Sequence, residues 1–81
     1  MKARFTDGLV PEQNRSARAM VASQLKEARL SKSLTQQDLA DMTGTQKSNI
    51  SRMESGSYNP SLDFLVKVAA SLDRKLKVTL E

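Results

Sequence analysis

Residues 34–56, LTQQDLADMTGTQKSNISRMESG, constrain the fold more than any other stretch of the chain. Two short helical patterns meet there at a tight turn centred on Gly44. The second pattern begins at Thr45. Its outer side carries Gln46, Lys47, Ser48, Asn49, Ser51 and Arg52, and its inner side keeps only Ile50 and Met53. A helix with so narrow an apolar anchor needs a close partner helix to hold it. Its other face of amides, hydroxyls and cations is of the type that reads base edges in a major groove. A short helix presented by a preceding helix and a tight turn is a helix-turn-helix.

The flanking segments supply the rest of a small helical bundle. Pro11 and Glu12 suit a first helical turn, because proline needs no hydrogen-bond acceptor there and an acid favours the positive dipole end. From there to about Ser31, Ala17, Val21, Leu25 and Ala28 recur at helical spacing and predict one buried face. Thr35 is an N-cap for the next helix, with Asp38 as its capping-box partner, Leu39 and Ala40 inward, and Gly44 where a left-handed residue is needed. Thr45 is expected to cap the third helix and Gly56 to stop it. After the loop Ser57–Pro60, Ser61 caps a fourth helix whose stripe is Leu62, Leu65, Val68, Ala69 and Leu72. Met20, Met42 and Met53 read as core filler. The period then changes. Residues 75–81, KLKVTLE, alternate strictly, with Leu76, Val78 and Leu80 on one side, which predicts a half-buried strand. A lone strand wants a second one, which a dimer mate, residues 2–6 or another protein could supply. The expected organisation is a tail over residues 1–10, a helical domain over 11–74 and a terminal strand over 75–81.

Composition removes several alternatives. The chain has 81 residues, no cysteine and no histidine. Disulfides, thiolate chemistry, zinc fingers and histidine acid–base catalysis are therefore unavailable. No nucleophile–base pair is evident, so an enzyme is not expected, nor is a cofactor or metal. Asp38 and Asp41 stand three apart without a third ligand and read as ordinary first-turn and surface charges. No apolar run reaches membrane-spanning length, and a soluble cytoplasmic protein is expected. The net charge of +4 fits a nucleic-acid partner but does not locate it. Residues 1–33 hold seven cations against three acids, whereas residues 34–60 hold two against three.

Thr35-Gln36, Leu39-Ala40, Gly44, Ile50, Glu54, Gly56, Pro60 and the Leu65–Leu72 stripe together resemble the XRE family of helix-turn-helix proteins. The resemblance spans roughly residues 21–72 and implies an all-α, lambda-repressor-like bundle of four to five helices, here with a short C-terminal strand. It implies that Gln36 bonds a DNA phosphate, that Gln46, Lys47, Ser48 and Arg52 face the major groove, and that Arg29 and Glu54 pair between helices one and three. The DNA-contacting set expected from motif and family together is Thr35, Gln36, Thr45, Gln46, Lys47, Ser48, Asn49, Ser51, Arg52, Ser57 and Tyr58. Within the family the chain looks most like antitoxins of HigA and HipB type. That likeness implies dimerisation through Leu76, Val78 and Leu80, and a protein toxin as partner. The N-terminal segment 1–20 and the outer face of helix one are the surfaces open to such a toxin.

The reading favoured by these residues is a homodimeric, sequence-specific repressor that binds a palindromic operator in double-stranded DNA, as the antitoxin of a pair that regulates its own operon. Two other readings stay open. One is a phage Cro-like repressor or a restriction–modification controller with no toxin. The other is a protein-interaction module of the bridging-factor type, against which the polar outer side of helix three argues.

Overall fold

The computed structural model describes residues 12–56 and 59–80, with side chains from Ser16 onward. Among them lie four helices: α1 (Glu12–Ser31), α2 (Gln36–Thr43), α3 (Lys47–Ser55) and α4 (Leu62–Ser71). Helix α2 packs on α3 and on α4, and α1 backs α3. The core gathers Leu25 and Ala28 of α1, Leu39 and Ala40 of α2, Ile50 and Met53 of α3, and Val68, Ala69 and Leu72 from α4 and its end. Three short helices are marginal alone, so their stability comes from these shared apolar faces.

The helix ends follow from local chemistry. The Thr35 hydroxyl accepts from Asp38 N–H and the Thr35 N–H donates to the Asp38 carboxylate, both at 2.9 Å, which completes the expected capping box. Ser61 caps α4 by accepting from Phe64 N–H at 3.0 Å. Gly44, at φ 71°, ends α2 in the left-handed region. Gly44 N–H donates to Asp41 C=O and Thr45 N–H to Ala40 C=O, at 3.3 and 2.9 Å, which is the Schellman closure. The same closure ends α1 at Ser33 and α4 at Asp73, both at φ 58° although neither is glycine.

Within the helices the structure differs from the sequence expectation at four points. Thr45 does not cap α3; Gln46 occupies the N-cap and makes no side-chain cap bond. The Thr45 backbone N–H closes α2, and its hydroxyl accepts from the Asn49 side chain rather than from a backbone N–H of α3. On α1 the buried face is Ala22, Leu25, Ala28 and Arg29, whereas Ala17 is exposed, because the first turns of this long helix project beyond the core. Leu62, the first residue of α4, is 59% exposed, so its stripe begins at Leu65. Met53 is buried, but Met20 and Met42 are exposed. Met20 lies roughly 140° round α1 from the centre of the buried face at 100° per residue.

The expected terminal strand is not seen among the described residues, where 74–80 run without assigned secondary structure. A strand is defined by its ladder, and this segment finds no second strand in the described part of the chain. Leu76 is half-buried against the core, while Val78 and Leu80 are exposed.

Candidate nucleic-acid interface

Helix α3 divides into two faces. Ile50 and Met53 are 0% and 3% exposed and anchor it. Lys47, Ser48, Ser51, Arg52 and Ser55 are exposed. At 100° per residue these five fall within an arc of roughly 140°. Lys47, Ser48, Ser51 and Arg52 donate no side-chain hydrogen bond and form no ion pair among the described residues. Their polarity is therefore not needed to hold the fold. Gln46, the exposed N-cap, precedes this arc in the sequence and lies outside it. Asn49 falls roughly 60° beyond its edge, half-buried, and its amide donates to the Thr45 hydroxyl at 2.8 Å. Ser55 extends the expected set by one turn; its distance of seven residues from Ser48 would have placed it on the same face.

The inner end of α3 is tied down by a buried charge cluster. Arg29 Nε donates to Glu54 Oε2 at 2.7 Å and Arg29 Nη2 to Glu54 Oε1 at 3.0 Å. The two side chains are 8% and 3% exposed. Arg29 Nη1 donates to the Leu34 carbonyl. Gln36 Nε2 donates to Glu54 Oε1 at 3.1 Å. The fork geometry of arginine and the extra donors satisfy the carboxylate after its removal from water. These bonds join the end of α1, the start of α2 and the end of α3, so they fix both helices of the motif relative to each other. The expected Arg29–Glu54 pair is present, and Gln36 adds a bond to it that the sequence pattern does not predict. One amide hydrogen of Gln36 is thus committed to Glu54, and the other makes no hydrogen bond among the described residues. The signal in the sequence was only the coincidence of a glutamine at the first position of α2 with a glutamate near the end of α3.

Thr35 is engaged as the cap of α2. The Thr35 backbone N–H, and then the Thr35 side chain, hold the Asp38 carboxyl below its ordinary range. Asp41 accepts from Gln37 Nε2 at 2.9 Å. No group of three or more acids gathers to hold a metal among the described residues. Ser57 and Tyr58 lie outside the described residues. Among the described residues no helix is long and apolar enough to cross a membrane.

The helix-turn-helix family model HTH_3 matches residues 25–78. An HTH-type transcriptional regulator of Archaeoglobus fulgidus, itself uncharacterised, is 34% identical over 55 residues, covering 68% of this chain and 78% of its own length. The chain belongs to the HTH_3 helix-turn-helix family. The family is one of DNA-binding transcription regulators, in agreement with the resemblance carried by Gln36, Gly44, Ile50 and Glu54. A second HTH-type regulator, y4dL of Sinorhizobium fredii, is 36% identical over 56 residues; the match covers 69% of this chain but only 29% of that protein. Among solved structures, an HTH_3 family transcriptional regulator from Vibrio cholerae superposes with a TM-score of 0.72 at 29% identity, over 76% of this chain and 35% of that one. A chain from a toxin–antitoxin module of Streptococcus pneumoniae matches at a TM-score of 0.68 and 32% identity, over 99% of this HTH_3 chain and 94% of its own.

Proposed function

We propose that this HTH_3 protein is a sequence-specific repressor that lays α3 in the major groove of duplex DNA. The observation that carries this reading is the outer arc of α3, where Lys47, Ser48, Ser51 and Arg52 stand exposed and unused by the fold. Lys47 and Arg52 can donate to guanine O6 and N7, and the hydroxyls serve either base type. Gln36, with one amide hydrogen left, and the unpaired N–H groups at the start of α2 suit a phosphate. Thr45, Gln46 and Asn49 flank the arc, and Ser57 and Tyr58 follow it in sequence.

The same reading makes the protein a homodimer. Val78 and Leu80 are 68% and 95% exposed on a segment without a ladder. Pairing of residues 75–81 with a two-fold mate would cover Leu76, Val78 and Leu80. It would also set two α3 helices about one DNA turn, ~34 Å, apart on a palindromic operator. The near full-length likeness to a chain of a toxin–antitoxin module supports the antitoxin role, with a toxin as second partner and the shared operon as target.

Fluorescence anisotropy with duplexes from the region upstream of the gene tests this directly. A duplex bound far more tightly than a scrambled one supports it, and equal binding to both overturns it. Light scattering of a version lacking residues 75–81 tests the dimer: monomers are expected, and an intact dimer would move the interface elsewhere. Co-purification with the product of the neighbouring gene tests the toxin.

A further inference from the structure

A cleft of about 250 Å³ lies between α1 and the segment that follows α4, and its lining includes Val21, Leu25, Ala28, Ala69 and Leu76. Leu76 packs against the core and is half-buried. Val78 and Leu80 share its side in an extended chain, yet are 68% and 95% exposed. Lys75, Lys77 and Thr79 on the other side are exposed. The pattern of charges says how a second copy of this segment would sit. Residues opposite each other in an antiparallel pair point to one face, so a shift of one residue would set apolar side chains against polar ones. Centred on Leu76, the pairing sets Lys75 against Lys77, and centred on Lys77 it sets that lysine against its own copy; both are like-charge pairs. Centred on Thr79, it leaves Leu76 opposite no residue of 75–81. Centred on Val78, it sets Leu76 opposite Leu80, Val78 opposite its own copy, Lys77 opposite Thr79, and Lys75 opposite Glu81. That register pairs all three apolar residues and opposite charges at both ends.

We infer that two copies pair through residues 75–81 in the register centred on Val78, and that Leu80 of each copy enters the α1 cleft of the other, beside Leu76. The inference rests on the homodimer proposed above and names its register and its receiving surface. Directly opposite side chains stand roughly 4.5–5.5 Å apart at Cβ, so Leu80 of the second copy reaches the cleft that Leu76 borders. Leu80 then exchanges water for Val21, Leu25 and Ala28, and each copy ties down α1 of the other. No residue of α3 lines this cleft. The outer arc of α3 therefore stays open to DNA.

The chain has no cysteine, so single cysteines in the full-length protein report the register without background. Val78→Cys should give a disulfide-linked dimer on mild oxidation, because a residue on the two-fold axis faces itself at a separation that a disulfide spans. Lys77→Cys and Thr79→Cys should cross-link at least about tenfold more slowly, since their own copies lie two residues away along the ladder. Leu80→Ala should weaken the dimer at least about tenfold in sedimentation, through the burial lost in both copies. In an equal mixture of ¹³C-labelled and unlabelled protein, isotope-filtered spectra should show the Leu80 methyls of one copy in contact with Leu25 and Ala28 of the other. A dimer that cross-links fastest at position 77 or 79 overturns the register, and one without the Leu80 contacts to α1 overturns the cleft; either leaves the homodimer standing. A protein that stays monomeric at every concentration by light scattering overturns the homodimer and this inference with it.

Discussion

The inner and outer faces of α3 are built from the same nine residues and meet opposite demands. Inside, Ile50 and Met53 are sealed in the core and Glu54 is held by Arg29 and Gln36. Outside, the side chains of Lys47, Ser48, Ser51 and Arg52 are exposed and make no hydrogen bond or ion pair among the described residues. The inner face is fixed by burial, where every polar atom must find a partner. The outer face is free of that demand, so its chemistry is available for another molecule. Substitutions should therefore separate: inner ones change stability, outer ones change binding.

The largest effect should come from breaking the charge cluster. Arg29→Ala leaves the Glu54 carboxylate buried and short of two bonds, and should cost about 3–5 kcal/mol in chemical denaturation. A loss below about 1 kcal/mol would mean that the cluster does not organise the motif. Ile50→Ala should cost a comparable or slightly smaller amount, about 2–5 kcal/mol, through lost burial and a cavity at the centre of the core. Gln36→Ala removes one bond to a charged acceptor and should cost about 1.5 kcal/mol. It sharpens the comparison, because a residue at the boundary should show up in both stability and DNA affinity. Unchanged stability would leave Gln36 with the outer set only.

Ser33→Gly should stabilise by about 0.5 kcal/mol, since glycine accepts the left-handed backbone there at no steric cost. The smallest effect is the pH response of the α2 cap. The Asp38 carboxyl is held low by Thr35, so the charged form favours the folded state. That contribution is fully present above the ordinary carboxylate pKa and fades as pH falls through the lowered folded value. Between pH 5 and pH 2 the stability of Asp38→Asn should fall less steeply than that of the parent, as followed by thermal melts. Parallel curves would remove the cap from the acid response.

The motif was legible in the sequence because its signals are local. The Thr35–Asp38 box, the left-handed glycines at 44 and 56, and the Ser61 cap each need only a few neighbouring residues. Leu39, Ala40 and Ile50 were placed in the core by spacing alone, and all three are fully buried. The misplaced features depend on what a helix meets in space. Ala17 keeps the helical period of the buried face yet lies past the core, and Met20 and Met42 are apolar without being inside. Thr45 has the chemistry of a cap, but its N–H closes the preceding turn and its hydroxyl meets the Asn49 side chain. The alternation of Leu76, Val78 and Leu80 is real in the sequence, but a strand needs a ladder that the described residues do not offer. The Arg29–Glu54 pair was reached through family resemblance, since twenty-five positions separate the two residues and no periodicity links them.

The division between the two faces is tested most directly with Arg52→Ala. Its thermal midpoint and its affinity for the preferred and the scrambled duplex should be measured together at one salt concentration. A surface substitution of this kind should leave stability within about 0.5 kcal/mol. The account predicts a loss of about 1–3 kcal/mol on the preferred duplex, with a much smaller loss on the scrambled one, so that sequence preference relaxes. An equal loss on both duplexes would make Arg52 a phosphate contact, and a clear fall in the thermal midpoint would return it to the fold; either result contradicts an outer face of α3 reserved for reading bases.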